Sequence, residues 1–458
     1  MELELQDISI EPETQTAFLK NELKPQKLSV YLRGFYSFLA SLMGLGFGFA
    51  VSIGSLVFHW DCTSKLAIPT NTTVTSNFAT SENFTSPFVD GHLLTTDTCL
   101  GPYVYSLYTT IIFGAGLLVS IIYFFIPKNL KWSIVVSNLF FALGFAMNFR
   151  AMSIPGLAIF ARFLQGCGSA LMLCTMVIFI TQNAPKKIMT FLTILGPSFI
   201  AVGAFVDTLF GLIKFTGVHD YSYVLLGYAL FFLSLAIAFA FYPNSRPVLQ
   251  TTESSPQTKP FLVRAKENLR GIAIIFLLHA GQQFSLINGL FMYSYMIFAD
   301  SKDSGQWIAV SPKTGATLMT GINMISCLVS TFLCAMKVNE KVLYLISHAG
   351  LVFCLTFLGI GYQQSLAALF FVFLFSLGVG PLVWSLSPSF FQSDFKNEGM
   401  ALGTVINMFF SFLIPYFFKA LEEYNLFQYF YTGAAIIMLV FWLFLFKLMR
   451  ISERLRKS

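Results

Sequence analysis

Gly281-Gln282-Gln283-Phe284-Ser285-Leu286-Ile287-Asn288-Gly289-Leu290-Phe291-Met292-Tyr293-Ser294 lies within a largely apolar run over residues 270–299. That run is long enough to cross a bilayer, which takes about 20 residues as a helix. Three amides and a hydroxyl in its middle are costly in hydrocarbon unless they face a protein interior or a cavity. The stretch therefore reads as one member of a helical membrane bundle. At about 100° per residue, Gln282, Gln283, Leu286 and Tyr293 share a face, and Asn288 lies roughly 140° from Gln283 on a continuous helix. A break between Ser285 and Gly289, which Gly289 permits, brings Asn288 round to that face. Amides both donate and accept hydrogen bonds, so the face suits a neutral polyol. The alternative is that the amides bond helix to helix.

Working outward, eleven further runs are long and apolar enough to span: 34–58, 103–126, 132–150, 154–181, 188–213, 222–243, 312–336, 341–361, 364–391, 399–420 and 426–449. Backbone polar groups in hydrocarbon must satisfy one another, so each run is read as a helix. The composition agrees: of 458 residues, 56% are hydrophobic and 11% charged, against about 25% charged in soluble chains. A cytosolic enzyme, a nucleic-acid binder and a disordered scaffold are excluded. The net charge of +6 comes from short basic clusters between apolar runs. Residues 1–26 are polar and acidic, and the first run is too long and too late for a cleaved signal.

The basic residues orient the spans. Lys24, Arg33, Lys128, Lys131, Lys186, Lys187, Arg246, Arg264, Lys337, Lys396 and Arg450 fall on one side when the N-terminus is cytoplasmic. This is the positive-inside pattern. The sequons at Asn71 and Asn83 both lie in the polar loop after the first span, on the opposite side, where glycosylation is expected. Cys62 and Cys99 share that loop; they are a candidate disulfide, the alternative being two thiols near the membrane surface. A multi-pass plasma-membrane protein with both termini cytoplasmic is expected. Its organisation is a tail over 1–33, six helices over 34–243 with an outer loop at 59–102, a linker over 244–269, six helices over 270–449 and a tail over 450–458. Two six-helix halves predict a site at the midplane between them.

Other polar and small residues refine this picture. Ala40, Gly44, Gly48 and Ser52 are spaced by four, and Gly46, Ala50 and Gly54 run beside them, so helix backbones can approach closely there. Gly378, Gly380, Pro381 and Pro388 predict a second discontinuous helix in the tenth span. Trp384 offers a sugar ring an apolar face and one N–H donor. Asn407 and Asn323 are intramembrane amides in the eleventh and eighth spans, and Arg162 lies within the fourth. Asp207 sits late in the fifth span, read as interfacial rather than proton-relaying. His279 and His348 read as packed and neutral. There is no phosphate loop and no clustered Cys/His ligand set, so catalytic, metal and cofactor roles have no support.

Gln282-Gln283-Phe284-Ser285-x-Ile287-Asn288 and Gly380-Pro381-x-x-Trp384 resemble the signatures of the sugar porter family of the major facilitator superfamily, especially its facilitative glucose transporters. Arg162-Phe163-Leu164-x-Gly166-x-Gly168 is similar to a fourth-span motif that many facilitators share. The resemblance implies an all-α fold of twelve transmembrane helices in two six-helix halves. It implies a sugar site formed by Gln282, Gln283, Asn288, Phe375, Trp384 and Asn407, with Tyr293 in an outer gate. Pro197 stands where the family has a fifth-span glutamine, Leu286 where it has a glycine, and the eighth-span asparagine aligns one position from Asn323. Gln182, Met189 and Ser389 replace the charges of a cytoplasmic latch. Ala50 occupies a position that is acidic in many proton-coupled relatives, which favours passive transport. The expected function is facilitated movement of a hexose, glucose being favoured, by alternating access. A facilitator of another small neutral solute and a sugar sensor that does not transport are the alternatives.

Overall fold

The computed structural model describes residues 29–57, 102–126, 129–151, 155–212, 218–243, 260–292, 294–299, 307–308, 310–423 and 426–457. Twelve segments among them are long and apolar enough to cross a membrane. The first span is α1 (Val30–Leu42) followed by α2 (Gly44–Val57), and the next five are α3 (Pro102–Phe125), α4 (Leu130–Ala151), α5 (Pro155–Asn183), α6 (Met189–Leu212) and α7 (Val218–Ala240). A short α8 (Phe261–Glu267) lies in the linker, where no helix was expected. The seventh span comprises α9 (Leu269–Phe284) and α10 (Ile287–Met292), with α11 (Ser294–Ala299) beyond it. There follow α12 (Pro312–Ala335), α13 (Glu340–Ile360), α14 (Gln364–Leu377), α15 (Val379–Leu386), a 3-10 turn at Ser387–Phe390, α16 (Lys396–Glu423) and α17 (Phe427–Lys457). The expected tail at 450–458 is largely helical, since α17 runs on to Lys457.

Several helix ends follow from local chemistry. Ser29, Ser311 and Asn339 accept from backbone N–H groups of the first turns of α1, α12 and α13. Such side chains satisfy donors that a helix start leaves unpaired. Gly361 closes α13 at φ 77, a left-handed conformation that glycine adopts without a Cβ clash.

The small-residue stripe of the first span packs α2 on α6. A Cβ at Gly44 would collide with the Gly196 carbonyl, and one at Gly48 with the Ile200 carbonyl. On the adjacent face, Gly46 lies against the rings of Phe141 and Phe232. Phe141, Phe145 and Phe232 join α4 to α7 with centroids 5.1–6.3 Å apart. In lipid, such close packing and interhelical hydrogen bonds replace the hydrophobic drive that assembles soluble cores.

The broadest contacts between the first six spans and the last six are α6 against α12 and α3 against α16, with α15 on α6 and α16 on α5 beside them. The α6–α12 seam carries two hydroxyl pairs, Ser198 with Thr331 and Thr208 with Thr320, both at 2.8 Å. Near the membrane edge, Arg264 of α8 donates to Glu398 of α16 at 3.3 Å and to the Asp394 carbonyl at 2.7 Å.

Candidate functional site

The seventh span is broken within the expected stretch from Ser285 to Gly289, at Leu286. Leu286 adopts φ 68, which costs a side chain with a Cβ about 1–2 kcal/mol. Its N–H donates to the Gln283 carbonyl at 2.9 Å, a contact three residues back. The Gln282 carbonyl accepts instead from the Ser285 hydroxyl at 2.6 Å. The turn brings Asn288 beside Gln283, and Asn288 Nδ2 donates to Gln283 Oε1 at 2.7 Å.

The tenth span breaks at Gly378, with φ −140 and ψ −70. Gly378 N–H takes the Phe375 carbonyl, so Val379 N–H needs another acceptor. Ser347 of α13 supplies it: its Oγ accepts from Val379 N–H at 3.1 Å and donates to the Leu374 carbonyl at 2.6 Å. No side chain fits at Gly378, because a Cβ would meet Ser347 and the Leu343 carbonyl.

Gln282 ties the two broken helices together. Its Nε2 donates to the Gly380 carbonyl at 2.8 Å and the Val379 carbonyl at 3.2 Å, and Asn407 Nδ2 donates to its Oε1 at 2.6 Å. His279 is buried beside this network, with Nε2 3.1 Å from Ser387 Oγ and its ring edge-on to Trp384 at 4.7 Å.

These residues border a cavity between the early and late spans. Gln282, Gln283, Asn288, Phe375, Trp384 and Asn407 all line it. Tyr293, Asn71, Asn83, Cys62 and Cys99 lie outside the described residues. The sequence reading left Asn323 out of the site, yet it lines the cavity, with Oδ1 accepting from Ser376 Oγ at 2.6 Å. Ser52, Thr109, Arg162, Thr208, Thr320 and Ser411 line it too. A hydroxyl inside a span carries a weak signal, but Arg162 was visible as an intramembrane charge.

The interfacial placement of Asp207 is corrected: it is 0% exposed. Ser52 donates to its Oδ2 at 2.8 Å and Tyr228 to its Oδ1 at 3.2 Å. Tyr228 is held by stacking on Phe49, with centroids 3.8 Å apart. Arg162 is also buried; it donates to the Ala50 carbonyl and to Gln165 Oε1, and its guanidinium lies over the Tyr108 ring, 4.9 Å from the centroid. Hydroxyl donors to the Asp207 carboxylate, and carbonyl, amide and ring partners for the Arg162 guanidinium, lower the cost of holding each charge in the bundle. Among the described residues, no group of three or more His, Cys, Asp or Glu is placed to hold a metal.

Residues 249–453 match the family described as "Sugar (and other) transporter". Facilitated glucose transporter member 2 of Rattus norvegicus is 33% identical over 187 residues, covering 38% of this chain and 34% of that protein. Its counterpart in Sus scrofa is 30% identical over 209 residues, covering 42% of this chain and 38% of that one. The matched segment thus spans about a third of the relatives' length. The inward-open xylose transporter XylE from E. coli superposes with TM-score 0.60 at 15% identity over 90% of this chain and 95% of its own. The fucose:proton symporter FucP of E. coli does so with TM-score 0.60 at 12% identity, over 90% and 98%. These likenesses show the fold of the major facilitator superfamily. Over residues 249–453 the chain is similar to sugar transporters, and its twelve long apolar helices, arranged in the major facilitator fold, mark it as a multi-pass membrane protein.

Proposed function

We propose that the protein carries a hexose, glucose being favoured, passively across the plasma membrane by alternating access. One observation carries the reading: Gln283, Asn288, Asn323 and Asn407 bring amides to one cavity beside the ring of Trp384. Amides match hydroxyls in both hydrogen-bonding senses, and an aromatic face covers the C–H surface of a sugar ring. The helices of 34–243 and of 270–449 act as two halves rocking about this cavity, with both termini cytoplasmic. Tyr293 contributes to an outer gate, Asn71 and Asn83 carry glycans, and Cys62 pairs with Cys99.

Passive transport follows from where the ionisable groups are. The polar groups lining the cavity are amides, hydroxyls, the Trp384 indole and the Arg162 guanidinium, none of which changes charge near neutral pH. Asp207 is set behind Ser52, with each of its oxygens accepting from a hydroxyl.

The test is uptake of radiolabelled D-glucose into proteoliposomes, with and without an inward proton gradient. Equilibration to the bath concentration in both conditions is expected. Accumulation above the bath that a protonophore abolishes would overturn uniport, and its loss in Asp207→Asn would assign the coupling to Asp207. Absence of all saturable sugar uptake would overturn the transport reading.

A further inference from the structure

The polar groups of the cavity are unevenly distributed. Its early-helix wall is built mainly from Phe47, Val51, Phe113, Pro197, Ile200 and Ala204. That wall also has four polar residues, and each is already engaged. Ser52 donates to Asp207, Thr208 is paired with Thr320, Arg162 donates to the Tyr108 and Ala50 carbonyls and to Gln165, and Thr109 has a partner of its own. Ser198, next to Pro197, turns away and bonds Thr331. The opposite wall differs. Gln283 Nε2, Asn288 Oδ1, Asn407 Oδ1, Asn323 Nδ2 and Trp384 Nε1 have no hydrogen-bond partner among the described residues.

We infer that the preferred substrate is an amphipathic sugar, a hexose in which one hydroxyl is missing or capped as an alkyl ether, so that one edge is apolar. The inference rests on the hexose-transport reading. A fully hydroxylated hexose enclosed here satisfies its hydroxyls on the α9, α10, α12, α15 and α16 side and strands one or more against the apolar wall. A buried hydroxyl without a partner is penalised, and removing it turns the same contact into a favourable apolar one. The preference should reach about tenfold in half-saturation, which corresponds to about 1.4 kcal/mol.

The experiment uses the full chain in proteoliposomes with radiolabelled D-glucose and its 2-deoxy, 3-deoxy, 6-deoxy and 3-O-methyl derivatives. At least one derivative should half-saturate transport about tenfold below D-glucose. Ile200→Asn, which places an amide on the apolar wall, should shrink that ratio at least threefold by improving D-glucose. If D-glucose is handled as well as or better than every derivative, the inference is overturned while hexose transport stands. If no sugar is moved by protein that still melts cooperatively, both fall. If the ratio is found but Ile200→Asn leaves it unchanged, the assignment of the preference to this wall is overturned.

Discussion

The seventh and tenth spans both break near the cavity, but the two breaks are mended differently. In the tenth, the gap is bridged from outside by Ser347 of α13, and Gly378 leaves no room for a side chain. In the seventh, the repair comes from the same stretch of chain: Ser285 caps the Gln282 carbonyl and Leu286 N–H slips to Gln283. A break locked by a neighbouring helix moves only with that neighbour. One closed by its own residues can reform or shift while the surrounding bundle stays in place. The comparison assigns the tenth span a fixed bend and the seventh an adjustable one, at which a left-handed leucine is held by its burial.

The sharpest way to break this contrast is Gly378→Val. Overpacking against Ser347 and the Leu343 carbonyl should cost about 3 kcal/mol, read as a large fall in melting temperature in detergent. A melt close to wild type would show that the tenth-span bend is soft. Ser347→Ala strands the Val379 N–H and should cost about 2 kcal/mol; the same melt checks it, and no loss would mean that water or another group fills the gap. At Leu286 the sign of a pair of variants is the test. Leu286→Ala and Leu286→Gly lose nearly the same side chain, but only glycine relieves the positive φ. The glycine variant should therefore be the more stable by about 1 kcal/mol, reversing the usual order within a helix. The smallest effect separates the neighbouring amides. Gln283→Ala should raise KM about two- to tenfold, the equivalent of one neutral hydrogen bond, with an unchanged melt. Gln282→Ala should lower the melt as well, because Gln282 fastens the two broken spans together.

The fold was legible because a helix in hydrocarbon has to be long and apolar, and that requirement is written into consecutive residues. The amide face of the seventh span was legible for a related reason, since Gln282, Gln283 and Asn288 are conspicuous where polar groups are costly. The hinge was bracketed between Ser285 and Gly289, and the residue within that stretch was not legible, because glycine tolerates a left-handed turn most easily yet here packing puts leucine in it. Asp207 was misread because its position along α6 gives depth and says nothing about lateral neighbours. The hydroxyls that receive it come from residues 155 and 21 positions away in sequence. Asn323 was missed for the same reason: facing a cavity is a property of the assembled bundle.

The hydroxyl pairs along the α6–α12 seam have a consequence for opening and closing. Every hydroxyl in them also reaches a carbonyl of its own helix: Ser198 to Ile194, Thr331 to Cys327, Thr208 to Phe205, and Thr320 to Thr317. If the two helices part or slide, each hydroxyl lets go of its partner and can turn its one hydrogen to its own helix's carbonyl, so no donor is left bare in the bilayer. The seam works like a row of press-studs with their own covers: it holds when closed, and it can be undone many times at little cost.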